Sequence, residues 1–146
     1  MKKQRMYLSG PITGEDDKET MEKFYQFEMN LRGQGCAVFN PLRNGLASNA
    51  PWERHMAVDI KQLEDCDALF MLDGWEKSQG AVLEMHLALV YGKNIFFETL
   101  PSPEVMEQIV GVANEMRQAL LIEERLMFEP KFYAEQCLKA GFYAAL

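Results

Sequence analysis

Short apolar runs alternate along the chain with longer segments in which apolar residues recur every three or four positions. The short runs predict strands over 5–9, 36–39, 67–72 and 94–98, and the longer segments predict helices over 18–32, from Pro51 onward, over 80–91, about 103–124 and 130–140. This alternation predicts an α/β protein with a Rossmann or flavodoxin-like three-layer fold, a parallel sheet of four to five strands and extra C-terminal helices. No repeat or linker interrupts the pattern, so residues 1–146 are predicted to form a single domain.

The apolar positions also predict which surfaces are buried. The run 67–72 is apolar at almost every position, which is typical of a strand buried on both faces, and we expect it at the centre of the sheet. The inner sides of the first two helices are predicted to carry Met21, Phe24, Tyr25 and Leu31, followed by Trp52, Met56, Ile60 and Leu63.

Small and polar residues follow the ends of the predicted strands. They are Ser9 and Gly10 after the first strand, Asn40 after the second, and Trp75, Ser78 and Gly80 after the third. In open parallel sheets, ligands bind outside the carboxyl ends of the strands, where helices on opposite faces diverge. The sequence therefore predicts a small-molecule site at this edge.

One carboxylate breaks the apolar pattern of segment 80–91. Glu84 shares this segment with only one other polar side chain, His86, which lies about 200° further round the helix and so cannot be its partner. A buried carboxylate without a partner is costly. Three interpretations of Glu84 follow. It forms an ion pair with a distant lysine or arginine, or it lies on a helix end that is more exposed than the pattern indicates, or it lies in a ligand cavity, where the nearby helix N-terminus favours its ionised, nucleophilic form.

The other candidate residues have alternative structural roles. Ser78 can cap the following helix, and Trp75 can belong to the core instead of stacking on a base. Asp59, four residues after His55, can be a solvated charge or form a salt bridge. The turn "GPITG" fits neither the dinucleotide-binding GxGxxG pattern nor the GxxxxGK[ST] phosphate loop, and its glycines can serve a tight turn alone. We therefore expect neither a dinucleotide oxidoreductase nor a nucleoside triphosphatase.

Charge and composition limit the partners. A net charge of −7 and a pI near 4.9 argue against binding to a nucleic acid duplex or an anionic membrane. Cys36, Cys66 and Cys137 form no CxxC pair, and the histidines lack metal-ligand spacing, so neither a metal nor another cofactor is predicted. The first apolar run is too short for a signal sequence, and no apolar stretch reaches the length of a membrane span. These features predict a cytoplasmic protein.

Three segments together resemble the nucleoside 2-deoxyribosyltransferase-like superfamily. They are "MYLSGPITG", "DIKQLEDCDALFMLDGWEKSQGAVLE" and "ALVYGK", and the resemblance extends over about 6–97. Within that superfamily they look like the small, phage-rich branch classed as a domain of unknown function, DUF4406.

The resemblance implies roles for three residues. In the enzymes of the superfamily, the glutamate of a Ser-x-Gly-x-x-x-Glu pattern attacks the anomeric carbon of a 2-deoxyribose, and Glu84 has that spacing from Ser78. An aspartate eight residues before the central strand positions the nucleophile or protonates the base, which corresponds to Asp59. A tyrosine on the first strand contacts the catalytic carboxylate, which corresponds to Tyr7. Ser9, Gly10, Ser78 and Gly80 are then expected to line the sugar or phosphate subsite, with Trp75 and Asn40 as further candidates.

The implied activity is cleavage of an N-glycosidic bond, or transfer of a deoxyribosyl group, on a nucleoside or nucleotide. Two alternatives are a protein that binds a nucleotide without turnover and a glycohydrolase of the NAD type. Relatives that hydrolyse monophosphates grip the phosphate with a serine and an arginine, where this chain has Pro11 and Thr13. In the transferases neighbouring subunits complete one another's sites, so a homo-oligomer, dimeric or larger, is expected, with the helical segment 105–121 as its contact.

Overall fold

Strands and helices alternate in the structure, a computed structural model that describes residues 2–12, 14–121 and 126. The elements are β1 (Arg5–Ser9), α1 (Asp17–Gly33), β2 (Ala37–Phe39), α2 (Trp52–Asp65), β3 (Ala68–Met71), α3 (Gln79–Val90), β4 (Asn94–Phe97) and α4 (Pro103–Ala119). Short 3-10 turns at Pro41–Arg43 and Trp75–Lys77 precede α2 and α3. The order of elements is the one that the apolar pattern predicts.

The described strands form one parallel sheet in the order β2-β1-β3-β4. The chain moves from β1 to one side and then crosses back to β3 on the other, so the direction of the connections reverses between β1 and β3. This reversal is the point at which doubly wound sheets bind ligands. The predicted α/β architecture is confirmed, and β3 is an inner strand whose four residues are all buried.

Each face of the sheet has its own apolar core. Alternate residues of β1 point to opposite faces, so that Met6 and Leu8 belong to one core and Tyr7 to the other. The first core contains Phe24 and Leu31 of α1, and the second contains side chains of the remaining helices, namely Leu63, Met85, Ala88 and Ile109. Helix α1 therefore covers one face, and α2, α3 and α4 cover the face toward which Tyr7 points.

Two predictions about the helix faces are wrong in part. On α1, Phe24 and Leu31 are buried as expected, whereas Met21 and Tyr25 are 61% and 55% exposed. The buried line instead passes through Glu28, which lies on the same stripe as Phe24 and Leu31, because residues three or four apart share a helix face. On α2, Met56 and Leu63 are buried but Trp52 is 42% exposed.

The predicted C-terminal elements are only partly described. Helix α4 ends at Ala119 rather than near residue 124. The predicted helix 130–140 lies outside the described residues, as does Cys137. Within the described part of the chain, no helix combines the length and apolarity needed to cross a membrane.

Candidate active site

The carboxyl ends of β1 and β3 are packed very closely. The backbone N–H of Leu72 donates a 2.8 Å hydrogen bond to the carbonyl oxygen of Ser9. A Cβ atom on Gly10 would lie only 2.9 Å from Cβ of the buried Leu72, so only glycine fits here without displacement. This packing places the last residue of β1 at the centre of the sheet edge.

Glu84 is held from β1 by two hydroxyl groups. Its side chain extends from α3 and the residue is only 6% exposed. Ser9 Oγ donates a 2.9 Å hydrogen bond to Oε1, and the Tyr7 hydroxyl donates to Oε2. In the part of the chain that the structure describes, the partners of the carboxylate are therefore hydroxyls and not a lysine or arginine.

Burial changes the ionisation of this group. It raises the pKa of Glu84 to about 8, although the hydrogen bonds from Tyr7 and Ser9 lower it, and the nearby charge of Asp59 adds to the rise. The expectation that the helix dipole keeps Glu84 ionised is wrong, because Glu84 is the sixth residue of α3 and the dipole acts mainly within the first turn. Burial and the charge of Glu84 raise the pKa of Tyr7 well above its ordinary value, which keeps its hydroxyl a donor.

Asp59 is a second buried carboxyl near Glu84. It lies on the inner face of α2 and is 6% exposed, so it is not the solvated surface charge considered above. Asn44 Nδ2 donates a 3.0 Å hydrogen bond to Oδ1 of Asp59. Burial raises the pKa of Asp59, while the Asn44 hydrogen bond and the nearby His55 lower it.

A cavity of about 670 Å³ opens beside these two acids. Its polar or small lining residues include Gly10, Gly14, Asp17, Thr20, Asn44, Ser48, His55, Asp59, Ser78, Gly80 and Glu84, and its apolar ones include Ile12, Met21, Leu42, Leu46, Trp52 and Met56. Three carboxyl groups and no lysine or arginine thus occur among the described lining residues. In the described ranges no group of histidine, cysteine and acidic side chains is arranged to hold a metal ion.

The start of α3 serves both the helix and the cavity. Ser78 Oγ accepts a 3.2 Å hydrogen bond from the backbone N–H of Ala81 and so caps α3, and the residue also lines the cavity. Gly80 lies where a Cβ atom would come within 3.2 Å of Met56 Sδ on α2. Its lack of a side chain allows the two helices to approach at the cavity wall.

Several predicted site residues lie outside the cavity. Tyr7 and Ser9 are absent from its lining and reach it through Glu84. Trp75 is 5% exposed and packs against Phe97 with ring centroids 6.2 Å apart, so it is a core residue and the proposed stacking role is wrong. Pro11 is also outside the lining, and Thr13 lies outside the described residues.

Asn40 likewise has a structural role. Its Nδ2 donates to Oε1 of Glu28 at 3.1 Å, and its Oδ1 accepts from the backbone N–H of Leu42 at 3.0 Å. Glu28 also binds Arg32 and Arg43, which ties α1 to the turn after β2. Asn40 therefore holds this turn in place, and the prediction that it lines the ligand site is wrong.

Sequence reasoning missed Asn44 and gave His55 no role. Both residues line the cavity, and Asn44 contacts Asp59 directly. The four-residue spacing from His55 to Asp59 indicated a shared helix face. Nothing in the sequence distinguished Asn44 from the other polar residues of its loop.

A solved structure and a family model match this chain. The solved structure of 2-deoxyribosyltransferase from the psychrotolerant bacterium Bacillus psychrosaccharolyticus matches with a TM-score of 0.51 and 23% identity, over 64% of this chain and 70% of that one. At this identity the similarity establishes the fold alone. No curated protein matches the sequence. The family model described as "Domain of unknown function (DUF4406)" matches residues 4–97. Because this match extends over more than half of the sequence, the chain belongs to the DUF4406 family.

Proposed function

We propose that this protein cleaves the N-glycosidic bond of a nucleoside and transfers the sugar to water or to a second base. The observation that carries the proposal is the position of Glu84, a buried carboxyl that lines a cavity of about 670 Å³ and is held by two hydroxyls. Asp59, a second buried acid, lines the same cavity. The shared fold with a 2-deoxyribosyltransferase supports this assignment.

The chemistry divides into two steps. In the first, a Glu84 oxygen attacks C1′ of the sugar, the C1′–N bond breaks, and its electron pair leaves with the base, which takes a proton from Asp59. In the second, water or another base attacks C1′, Asp59 takes up the proton, and the Glu84 carboxylate is released. Each step passes through an oxocarbenium-like state, which the carboxylate stabilises.

Tyr7 and Ser9 orient the nucleophile in this mechanism. Each donates one hydrogen bond to a different Glu84 oxygen, so each oxygen keeps a lone pair for attack. The two donors also favour the ionised form against the effect of burial. Their position on β1, whose backbone is fixed in the sheet, limits the movement of the carboxylate.

The raised pKa of Glu84 favours one alternative, a protein that binds a nucleoside without turnover. With a pKa of about 8, most of the unliganded protein carries a neutral Glu84 at neutral pH. A neutral carboxyl can donate a hydrogen bond to a ligand but is a poor nucleophile. Only the ionised fraction supports cleavage, so release of free base from a nucleoside separates the two functions.

The lining of the cavity favours an unphosphorylated substrate. Asp17 is its third carboxyl, and the described lining contains no lysine or arginine that would bind a phosphate. The N-terminus of α1 would ordinarily attract an anion. Here Asp16 already caps it, accepting from the backbone N–H of Glu19 at 2.9 Å, and Asp17 lies in its first turn.

The direct test is release of free base from a panel of deoxynucleosides, ribonucleosides, their 5′-monophosphates and NAD. We expect the wild-type protein to release base from deoxynucleosides, and Glu84→Gln to reduce the rate by roughly 10³-fold or more. Mass spectrometry of quenched protein should show one added deoxyribosyl group on the wild type and none on Glu84→Gln. If nucleosides raise the thermal stability of the protein but no free base is released, the binding function would be established instead. Cleavage of NAD would establish a glycohydrolase of the NAD type.

Assembly and location stay predictions. A homo-oligomer is expected from the resemblance to the transferases, and size-exclusion chromatography with light scattering tests it. A cytoplasmic location is expected from the composition.

A further inference from the structure

We propose that Asn44 and His55 are positioning residues that hold Asp59 with one defined oxygen directed at the departing base. This inference rests on the proposed function, because it assigns Asp59 the part of the acid. Three hydrogen bonds link the groups in series. His55 Nε2 lies 3.1 Å from the carbonyl oxygen of Ala47, His55 Nδ1 lies 3.0 Å from Asn44 Nδ2, and the same Nδ2 lies 3.0 Å from Asp59 Oδ1.

Backbone groups set the direction of each hydrogen bond. The carbonyl oxygen of Ala47 can only accept, so His55 Nε2 carries the hydrogen, and in the neutral ring Nδ1 is then an acceptor. The backbone N–H of Leu46 can only donate, and it donates to Asn44 Oδ1 at 3.1 Å. The opposite end of that amide is therefore the NH₂ group, whose two hydrogens serve His55 and Asp59.

The Asn44 amide makes all but one of the hydrogen bonds available to it. The exception, among the described residues, is the second lone pair of Oδ1. Both hydrogens of Nδ2 have acceptors, and Oδ1 is fixed by the loop backbone. Rotation of the amide would break all three contacts and face the oxygen toward the Asp59 carboxyl. The loop itself is held in turn by the contact of Arg43 with the buried Glu28.

This arrangement makes the two oxygens of Asp59 unequal. Oδ1 accepts from Asn44, so a proton on Asp59 is carried best by Oδ2, the oxygen that Asn44 does not contact. Asp59 lines the cavity, and a proton on Oδ2 is available to a base bound there. Without Asn44 the carboxyl can rotate and present its proton on either oxygen, which lowers the fraction of molecules ready for transfer.

The kinetic test compares Asn44→Ala with Asn49→Ala, an exposed asparagine of the same loop that does not line the cavity. We expect Asn44→Ala to lower kcat for deoxynucleosides by about 10-fold to 100-fold while KM changes by less than about threefold, since acid catalysis contributes roughly 10²-fold to 10⁴-fold. Asn49→Ala should match the wild type. For a substrate whose leaving group departs as a stable anion, the rate of the first step in Asn44→Ala should also match that of the wild type, because that step then needs no proton.

A double-mutant cycle tests whether Asn44 acts through Asp59. In an Asp59→Asn background, Asn44→Ala should lower kcat by no more than about twofold, since the group it positions has lost its proton. His55→Asn, whose amide oxygen can replace Nδ1 as an acceptor, should retain more of kcat than His55→Leu. The proposal would be overturned if Asn44→Ala lowered the rate equally for both kinds of leaving group, or lowered kcat equally in the wild-type and Asp59→Asn backgrounds. Either result would mean that Asn44 only stabilises the fold.

A second measurement needs no turnover. The ¹⁵N chemical shifts of the His55 ring, assigned by their loss in His55→Asn against the remaining His86, should show hydrogen on Nε2 and none on Nδ1. Hydrogen on Nδ1 would overturn the proposed chain of hydrogen bonds even if the enzyme is active. A different combination of results is that His55 carries its hydrogen on Nε2 but the wild-type protein releases no base. That combination would overturn the proposed function and the role of Asp59 as the acid.

Discussion

The hydroxyl of Ser9 donates a 2.9 Å hydrogen bond to Oε1 of Glu84, joining residues 75 positions apart in the sequence. Ser9 is the last residue of an inner strand and Glu84 lies in the second turn of α3. The orientation of the carboxyl therefore depends on how the sheet edge packs against the helix. Changes to either element are expected to alter the chemistry of this one group.

The first prediction concerns the pH dependence of cleavage. For a substrate whose leaving group departs as a stable anion, so that no proton from Asp59 is needed, kcat/KM should rise with pH toward a plateau above about 8, because burial raises the pKa of Glu84 to about 8 and only its ionised form attacks. Tyr7→Phe removes a hydrogen bond that favours the ionised form, so it should move this limb to higher pH. Measurement of kcat/KM against pH for both proteins checks the shift.

Tyr25→Phe provides the matched control for this prediction. It removes the same hydroxyl from an exposed tyrosine of α1 that does not line the cavity. Its pH profile should superimpose on that of the wild type. With this substrate, a kcat/KM that falls as pH rises toward 8 would contradict the nucleophilic role, because it would mean that the protonated form of Glu84 is the active one.

The second prediction concerns stability. The pKa of Glu84 is about 8 in the folded protein and near 4.5 when the group is solvated, so between these values the folded state holds a proton that the unfolded state has lost. The free energy of unfolding should therefore decrease as pH rises through this window, by at most about 1.4 kcal/mol per pH unit from this group. Glu84→Gln lacks this titration, so its stability relative to the wild type should increase as pH rises from 5 to 8.

Denaturant unfolding at several pH values measures this difference. The increase in relative stability should reach about 2 kcal/mol or more across the window. Glu107→Gln, a change at an exposed position of α4, should show a difference that does not vary with pH beyond a few tenths of a kcal/mol. Parallel stability curves for Glu84→Gln and the wild type would show that Glu84 titrates normally in the folded protein.

Sequence reasoning located the fold because the signals for it are local. Strand β1 was predicted with its observed limits, Arg5–Ser9, since a short apolar run between polar segments defines a strand without knowledge of its neighbours. The prediction for Glu84 used the same local contrast between one carboxylate and an apolar helix. Its burial and its place on the cavity wall agree with that prediction.

What the sequence could not provide was side-chain direction and the balance of electrostatic effects. Trp75 and Asn40 follow strand ends as site residues do, yet one turns into the core and the other binds Glu28, and only tertiary packing decides this. The ionisation of Glu84 was predicted from the helix dipole alone. In the folded protein the cost of burial exceeds that effect, and its size depends on neighbours that come from β1 and α2.

A third prediction follows from the close packing of Gly10. Gly10→Ala places a Cβ atom 2.9 Å from Cβ of Leu72, which is fully buried and cannot move away. We expect the substitution to lower the free energy of unfolding by about 1–3 kcal/mol. Because Gly10 adjoins Ser9, it should also lower kcat. Gly111→Ala adds the same methyl group to α4, where nothing lies within 4 Å, and should leave stability unchanged or raise it by up to about 1 kcal/mol.

The last prediction concerns the charge of the cavity. Asp17 lines it and is exposed, with Asp59 and Glu84 deeper inside, so a 5′-phosphate would meet acidic groups and no described cation. We expect kcat/KM for a deoxynucleoside to exceed that for its 5′-monophosphate by about 5-fold or more, since one unit charge at about 4 Å in water contributes roughly 1 kcal/mol. Asp17→Lys should lower the ratio of the two kcat/KM values severalfold. Added salt should also lower this ratio in the wild type, because exposed charges are screened. Glu22→Lys makes the same change of charge on α1 away from the cavity lining and should lower it much less. Equal or better use of the monophosphate by the wild type would show that a cation reaches the substrate from outside the described lining.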